Sequence, residues 1–466
     1  MAELYIVISK YIITILMASY TYFSFKALSK KTEEEYDMFF YTQTFLIYAI
    51  YVIGIVIVYL NNKSDTTIIL AGAQMIYLVV VLGIFPVIYP KINRMLLSNM
   101  CMLLAIGFIE LGRLTYTRSI KQFIIIAFAT MLTLIVPFLM SKFEIWKQLT
   151  WFYYFLGVGM LLSVLLLGIV LGRKSNGSYL MLTFGGISFQ PSEFVKILFV
   201  FFLAGLFVKG TKFSNVVAAA IASGSFVLTL VASKDLGCAL ILFMVFSFML
   251  YAASKSKIYL FLCAGGGIMG AYVGSIFFTH VQTRIQAWRD PWPIIDGGGY
   301  QVTQSLFAIC SGKLTGTGLY NGMPETIPEA HTDFVFSAIA EEFGGIFAVL
   351  LILVCLNCFL GFVTVSTKQK DIFNKLIAFG LGIIYAVQVF LTIGGAIKLI
   401  PSTGVTLPLI SYGGSSALST LIMFAIIQGL SIVGTKDEQK EKNKRTRKDM
   451  TIEKKNNRRQ TDRRRA

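Results

Sequence analysis

The chain alternates between long apolar runs and short polar connections along most of its 466 residues. The apolar runs are close to 20 residues, the length an α-helix needs to cross a bilayer, and they lack the strict two-residue alternation of a membrane β-strand. We therefore expect an all-α integral membrane protein, a polytopic helical bundle. The predicted spans lie near residues 4–24, 39–60, 67–89, 94–113, 120–140, 150–171, 191–208, 214–232, 236–253, 257–278, 333–364, 372–398 and 412–433.

Composition supports a membrane protein and argues against a nucleic-acid-binding one. Hydrophobic residues make up 56% of the chain and charged residues 14%, whereas roughly 25% of residues are charged in a soluble domain. The formal charge of +17 is unevenly placed, because the tail from Lys436 to Arg465 holds 14 Lys/Arg against 6 Asp/Glu. No aromatic residue interrupts this tail, as a nucleic-acid-stacking surface would require. We expect residues 435–466 to form a basic, disordered tail beside anionic lipid headgroups.

The short Lys-rich connections predict the orientation. Placing the basic C-terminus in the cytoplasm puts the connections near residues 26–31, 91–94, 141–147, 209–212, 255–257 and 368–375 on the same side, as the positive-inside rule requires. The N-terminus is then predicted to lie outside. Segments 173–191, 233–236, 278–333 and 400–411 fall on the outer face and hold most of the Gly, Pro and polar clusters. Irregular backbone in a membrane is tolerated where it lines a watery cavity, so we expect an external cleft.

The most informative stretch is 328–344, at the start of a predicted span. Asp333 lies where the span meets the outer loop, and Glu341 and Glu342 follow about two helical turns further in. A charged group at the centre of a bilayer costs at least about 2.5 kcal/mol, so such residues usually have a function. Asp333 is the candidate acid/base carboxylate. Glu341 and Glu342 either line a proton path or pair with a buried cation such as Lys398.

Two further motifs combine a carboxylate with a lysine. Glu193 and Lys196 are three residues apart near a predicted helix start, where they are neighbours on one helix face. Helix capping with a buried ion pair explains them as well as a binding role does. Lys234 and Asp235 lie between two spans, and a plain hairpin connection accounts for them equally well.

The remaining candidates would bind an anionic substrate at the outer face. Arg284 offers bidentate contacts to phosphate, and Gln301, Gln304 and His331 lie further along the same loop. Residues 404–416 break the helix pattern with Pro, Gly and hydroxyl groups, and amides and hydroxyls at a helix start bind anions. Lys398, Ser411 and Ser415 belong to this region. With two scattered histidines, no zinc site is expected.

These segments, in this order, resemble the SEDS family (shape, elongation, division and sporulation) of bacterial cell-wall proteins. The matching runs are FQPSEFVK at 189–196, KDLG at 234–237, GGYQVTQSL at 298–306, GKLTGTGL at 312–319, IPEAHTDFVFSAIAEEFG at 327–344 and GVTLPLISYGGSS at 404–416. The last run is closer to the FtsW/SpoVE branch than to the RodA branch. The resemblance implies a ten-span core at 91–434 with a large outer loop at 279–332, preceded by three extra spans at 1–90.

The resemblance also implies an activity. Members of the family are peptidoglycan glycosyltransferases that polymerise lipid II at the outer face of the bacterial cytoplasmic membrane during division, sporulation or growth. They work with a class B penicillin-binding protein and other division or sporulation membrane proteins. Asp333 would be the general base, and Arg284, Lys196 and Lys398, with Mg²⁺ if the reaction needs it, would stabilise the undecaprenyl pyrophosphate leaving group.

One departure from the family pattern keeps two alternatives open. Family members usually carry an Arg-Trp pair shortly before QPSE, whereas residues 176–181 here read Asn-Gly-Ser-Tyr-Leu-Met. A non-catalytic division scaffold is one alternative for a chain that lacks this pair. A lipid II flippase is the other, although a flippase needs polar groups across the whole bilayer and these are concentrated in the outer half.

Overall fold

The computed structural model describes residues 2–29, 33–170, 182–184 and 187–465. The stretch 176–181, in which the Arg-Trp pair is missing, lies outside the described residues. The helices before the core are α1 (Ala2–Leu28), α2 (Glu33–Asn62) and α3 (Asp65–Ile88). The helices from residue 94 to the outer loop are α4 (Arg94–Leu114), α5 (Tyr116–Thr133), α6 (Val136–Lys142), α7 (Thr150–Val170), α8 (Pro191–Val208), α9 (Phe213–Ala232), α10 (Leu236–Ser254) and α11 (Lys257–Phe277).

The outer loop and the last third of the chain contain α12 (Thr279–Arg289), α13 (Tyr300–Gly312), α14 (Val335–Phe343), α15 (Gly345–Lys368), α16 (Ile372–Ala396) and α17 (Gly414–Arg465). Two three-residue strands, β1 (Leu182–Phe184) and β2 (Ile187–Phe189), pair antiparallel in front of α8. Within the described residues, thirteen helices are long and apolar enough to cross a membrane. The predicted all-α polytopic bundle and its number of spans are confirmed.

The eleventh predicted span is wrong at its start. Instead of one helix over 333–364, the structure has the fully buried half-helix α14 and a separate spanning helix, α15. The break is at Gly344, whose backbone φ of +92° is rarely adopted by residues that have a Cβ. At this point the sequence has Glu341 and Glu342 followed by Gly344 and Gly345, with apolar residues continuing beyond them, so hydropathy averaged over a whole span does not reveal the break. Asp333 therefore precedes a buried half-helix and not the mouth of a spanning helix.

The N-terminal helices are packed onto the core by buried polar groups as well as by apolar contact. On α1, Tyr20 donates a hydrogen bond to Asn99 Oδ1 at 2.8 Å, and Ser24 Oγ lies 2.8 Å from the same atom. Ser24 Oγ also lies 2.9 Å from Asn357 Oδ1, which accepts a hydrogen bond from Asn99 Nδ2 at 2.7 Å. Buried polar groups in a membrane bundle link helices when they are paired. The cluster joins α1 to α4 and α15.

Two of the six Lys-rich connections, 91–94 and 368–375, lie together at one end of the bundle. Lys91 contacts Gln439 at 2.5 Å and Lys368 contacts Glu438 at 3.5 Å, so both connections lie beside the start of the tail. Loop 279–332 is at the opposite end, which we call the loop end. The grouping agrees with the predicted topology, and which end faces the cytoplasm stays a prediction.

The tail differs from the disordered segment that we expected. The structure continues α17 as helix to Arg465. The residues after Gly434 contain no Gly or Pro and are rich in Lys, Arg, Glu and Gln, which favour helix wherever the chain is not otherwise constrained.

Candidate functional site

Asp333 is held at the loop end by hydrogen bonds between two irregular segments. Tyr412 donates its backbone N–H to the His331 carbonyl at 2.7 Å, and Ser411 Oγ donates to the Thr332 carbonyl at 2.5 Å. The Ser411 hydroxyl in turn accepts the Leu407 N–H at 2.9 Å. The half-buried carboxyl of Asp333 therefore sits on backbone that is fixed by the 404–416 segment, in the kind of irregular structure that lines a cavity.

Arg284 and Asp333 converge on Gly404. A Cβ at Gly404 would lie 3.3 Å from Arg284 Nη2 and 3.5 Å from Asp333 Oδ2. Gly404 has a φ of +73°, so glycine satisfies both the backbone conformation and the close approach of the two side chains. Arg284 Nη1 also donates to the Ser402 carbonyl at 3.2 Å. The structure thus brings together an arginine and a carboxylate predicted from separate motifs.

Three surrounding influences set the acidity of Asp333. Burial raises the pKa of the carboxyl to about 6, Arg284 opposes this shift, and the Glu329 carboxylate adds to it. The carboxyl is therefore largely ionised at pH 7 but binds a proton more readily than an exposed aspartate. This is the range in which a general base works best near neutral pH.

His331 lies beside the same site. Burial lowers the pKa of its imidazole, the Arg118 charge acts in the same direction, and Glu329 opposes both. With its pKa below the usual 6.5, the ring is predominantly neutral at pH 7. Its Nε2 is 3.4 Å from Glu329 Oε2, and the ring faces Tyr412 at 6.0 Å between centroids.

Asp235 is near the site but is engaged in holding helices. Its side chain caps α10 by accepting the Cys238 N–H at 3.1 Å, and Ser192 Oγ donates to it at 2.9 Å. It is buried and adds a negative charge near Arg284. The contacts of Asp235 thus agree with its structural interpretation as a helix cap, and a binding role for Asp235 stays a prediction.

Glu193 and Lys196 do not reach the surface of the site. Both side chains are buried and paired at 2.8 Å, and Lys196 also donates to Gln388 Oε1 at 2.9 Å. Gln388 Nε2 lies 3.1 Å from the Thr406 carbonyl, and Ser419 Oγ donates to Glu193 at 3.0 Å. The expectation that Lys196 contacts the leaving group is wrong in this structure, because its ammonium group is enclosed and satisfied inside the bundle. Through Gln388, the pair is connected to the Thr406 carbonyl of the 404–416 segment.

The other predicted residues surround the site without meeting at one point. Gln301 Nε2 donates to the Pro328 carbonyl at 3.0 Å, and the partly exposed Gln304 lies one turn later on α13. Ser415 Oγ accepts the Gln190 N–H at 3.0 Å. Lys398 follows α16 with a φ of +60° and a partly exposed side chain.

Glu341 and Glu342 have different partners from those predicted. Glu342 Oε1 pairs with Arg113 Nε at 2.9 Å, so its cation is Arg113 and not Lys398. Glu341 Oε1 accepts the Met323 N–H at 3.1 Å. Sequence reasoning missed Arg113, although its position three residues after Glu110 near the end of an apolar span was an available signal.

The described residues contain no group of three or more His, Cys, Asp or Glu side chains arranged to hold a metal ion. Mg²⁺ is usually held by one or two carboxylates together with substrate phosphates. Asp333 is the site carboxylate that would hold such an ion, because both oxygens of Asp235 already accept hydrogen bonds. The two aspartates do not form a protein-only magnesium cage.

Comparison with known proteins gives a consistent family. The model of the cell cycle protein family FtsW/RodA/SpoVE matches residues 92–435. The peptidoglycan glycosyltransferase RodA of Mycobacterium tuberculosis strain H37Rv is 35% identical over 277 residues, which cover 55% of this chain and 58% of that relative. The probable peptidoglycan glycosyltransferase FtsW of Saccharophagus degradans is 31% identical over 310 residues, which cover 64% of this chain and 79% of the relative. The chain thus spans less than two thirds of the length of the mycobacterial RodA.

Solved structures show the same fold. A chain of a peptidoglycan synthase complex superposes with a TM-score of 0.61 at 24% identity, covering 74% of this chain and 98% of its own length. RodA of Thermus thermophilus gives a TM-score of 0.54 at 23% identity, covering 73% and 96%. The assignment to the FtsW/SpoVE branch stays a prediction, because FtsW of Aliivibrio salmonicida is 35% identical, the same as the mycobacterial RodA.

Proposed function

The chain belongs to the cell cycle protein family FtsW/RodA/SpoVE, and we propose that it polymerises lipid II into peptidoglycan strands at the outer face of the bacterial cytoplasmic membrane. The observation that supports this most directly is Asp333, a half-buried carboxyl with a pKa of about 6 beside Arg284 on fixed irregular backbone. Two relatives described above are named as peptidoglycan glycosyltransferases, one of them as probable.

In the proposed reaction, Asp333 accepts the proton of the 4-hydroxyl of the acceptor's GlcNAc. The hydroxyl oxygen forms a bond to C1 of the donor's MurNAc while the bond from C1 to the pyrophosphate oxygen breaks. The anomeric centre inverts, and undecaprenyl pyrophosphate leaves with the electron pair. General-base catalysis supplies roughly 10²–10⁴-fold, and positioning of donor and acceptor supplies much of the rest.

The position of Arg284 favours a role on the base's side of the reaction. In an inverting displacement the nucleophile and the leaving group lie on opposite sides of C1. A guanidinium that converges with Asp333 on Gly404 is therefore placed to keep the carboxylate ionised and oriented. The exposed Lys234 and the partly exposed Lys398 are two lysines that would meet the pyrophosphate. A magnesium ion bound with the substrate would neutralise phosphate charge, and no step here depends on it.

We further propose a class B penicillin-binding protein as partner, together with other division or sporulation membrane proteins. The proposal is supported by the fold shared with a chain of a peptidoglycan synthase complex. For orientation, we propose that the loop end faces outward, with the N-terminus outside and the C-terminal tail in the cytoplasm. The positive-inside rule supports this, because the Lys-rich connections 91–94 and 368–375 lie at the opposite end, beside the start of the tail.

The test is polymerisation of purified lipid II by the purified full-length protein, alone and with its class B partner. Glycan chains resolved by gel electrophoresis are the expected result. If the folded protein with its partner makes no chains but moves lipid II across liposomes, the flippase alternative replaces the polymerase. If it does neither, the scaffold alternative replaces it.

The pH dependence of polymerisation reports the ionisation of Asp333. The carboxylate must be deprotonated to act as base, so the rate is expected to fall about tenfold per pH unit below pH 6 and to level off above it. Arg284→Gln removes the charge that lowers the pKa of Asp333, so its acid limb is expected at higher pH. The matched control is Arg289→Gln on the same helix, whose limb stays at the wild-type position. An unshifted limb in Arg284→Gln would contradict the assignment.

A further inference from the structure

Residues 313–323, which we call the 313–323 loop, are bound closely to α14. The backbone N–H groups of Thr317 and Gly318 donate to the carbonyls of Glu341 and Glu342, each at 2.9 Å. The side chains of the same two glutamates accept further backbone N–H groups: Tyr320 N at 2.9 Å on Glu342 and Met323 N at 3.1 Å on Glu341. Four hydrogen bonds thus tie the loop to α14, and Asp333 lies two residues before that helix.

The other side of the 313–323 loop is held by the N-terminal helices. Lys10 on α1 donates its Nζ to the Gly316 carbonyl at 2.8 Å. The Ile6 side chain packs so closely on Gly318 that a Cβ there would lie 2.8 Å from Ile6 Cγ2. At the end of α2, Asn62 Oδ1 accepts the Tyr320 hydroxyl at 3.1 Å. The loop thus accepts a charged hydrogen bond from α1 and donates a neutral one to α2.

The N-terminal helices provide a fixed support for these contacts. The buried Tyr20, Ser24, Asn99 and Asn357 cluster joins α1 to the core, and α2 packs along both α1 and α4. On α4, Arg113 pairs with Glu342 and stacks over the Tyr320 ring at 4.4 Å. The loop is therefore enclosed between α14 and a support that includes helices outside the family match, which begins at residue 92.

We propose that the N-terminal helices α1 and α2 are a positioning element for the active site, with Lys10 and Asn62 as its positioning residues. They hold the 313–323 loop against α14 and thereby set the position of Asp333. The inference rests on the proposed function, since it assigns Asp333 the role of base. Neither residue touches the reacting atoms. A displacement on the order of 1 Å at a catalytic group is enough to cost about 10²-fold in rate, so modest support of the loop has a measurable effect.

The first test compares steady-state polymerisation by Lys10→Gln with wild type. We expect kcat to fall about fivefold while the KM for lipid II stays within about twofold, because the charged hydrogen bond to Gly316 is lost and no substrate contact is removed. Lys10→Arg keeps a charged donor and is expected to restore most of kcat. The control is Lys63→Gln, in the connection between α2 and α3, whose exposed side chain lies outside this set of contacts. Wild-type kcat in Lys10→Gln, or an equal loss in Lys63→Gln, would overturn the proposal.

A second measurement separates this proposal from the proposed activity. Hydrogen exchange of the full-length protein reports the hydrogen bonds of Thr317 and Gly318 to α14 without any substrate. Lys10→Gln and Tyr320→Phe are expected to speed exchange over residues 313–323 and 335–343, and Lys63→Gln is not. Faster exchange in a protein that makes no glycan would show that α1 and α2 hold the 313–323 loop against α14, and would reject the polymerase. Unchanged exchange in both variants would reject the positioning role, and Tyr320→Phe decides the matter if Lys10→Gln fails to fold.

Discussion

Replacing Asp333 with asparagine is expected to abolish measurable polymerisation of lipid II while leaving the bundle folded. Asparagine has nearly the shape of aspartate but cannot accept the acceptor's hydroxyl proton at neutral pH. The loss of a general base costs roughly 10²–10⁴-fold, and the Arg284 guanidinium also loses the charge that faces it across Gly404. The measurement is glycan-chain formation per mole of protein, at equal purity and with the same partner, by the wild type and Asp333→Asn.

A neighbouring carboxylate offers the matched control. Glu329 lies four residues before Asp333, and its exposed side chain accepts the Thr332 hydroxyl at 2.9 Å. Its charge raises the pKa of Asp333, so Glu329→Gln lowers that pKa. The fall in rate on acidification is then expected at slightly lower pH than in the wild type. Above pH 7 its rate is expected to stay within about twofold of wild type, because Asp333 is already ionised there. Wild-type activity in Asp333→Asn, or equal losses in both variants, would remove Asp333 from the role of base.

The spans were predictable because hydropathy and helix length are local properties. A helix crosses the bilayer only when its own backbone hydrogen bonds are satisfied and about 20 apolar residues follow one another. Both conditions can be read from consecutive residues. The same reasoning located the irregular segments that contain Asp333 and Ser411, because Gly, Pro and polar clusters in a membrane protein mark backbone that must line a cavity.

The arrangement of the site was not predictable in the same way, because it depends on residues distant in the sequence. Lys196 was expected to face the leaving group, yet it is buried and donates a hydrogen bond to Gln388 on α16. Lys398 was an expected partner of Glu342, yet Glu342 forms its ion pair with Arg113 on the first core helix, α4. Pairing of buried charges reflects which helices are neighbours, and a single sequence does not contain that information. The contacts of Lys10 and Asn62 with the 313–323 loop are of the same kind.

The break between α14 and α15 escaped prediction for a different reason: it rests on the backbone conformation of one glycine, which hydropathy does not report. Gly344 has a φ of +92° and a ψ of 166°, a region that is essentially restricted to glycine. A Cβ at this position would lie 2.2 Å from the Gly316 nitrogen and 2.5 Å from the Thr315 carbonyl carbon. These are backbone atoms of the 313–323 loop, and they cannot turn aside as a flexible side chain would.

Gly344→Ala is therefore expected to cause a large loss of both stability and activity. The strained backbone alone costs on the order of 1–3 kcal/mol, and the clash must push the 313–323 loop away from α14, so we expect the free energy of unfolding to fall by about 3 kcal/mol or more. Because α14 follows Asp333 directly, polymerisation should fall at least about tenfold even in protein that remains folded. The measurements are thermal unfolding in detergent and glycan-chain formation.

The control for this substitution is Gly83→Ala on α3, where a Cβ would meet no atom within 4 Å. Alanine inside a helix is favoured over glycine by roughly 0.5–1 kcal/mol, so this variant should be as stable as wild type or slightly more so, with unchanged activity. If Gly344→Ala matched Gly83→Ala in both measurements, α14 and α15 would tolerate a continuous helix. Asp333 would then stand at the mouth of a spanning helix, and its dependence on the 313–323 loop would be lost. A loss of stability and activity in Gly344→Ala alone would instead show that the position of the base depends on the break between α14 and α15.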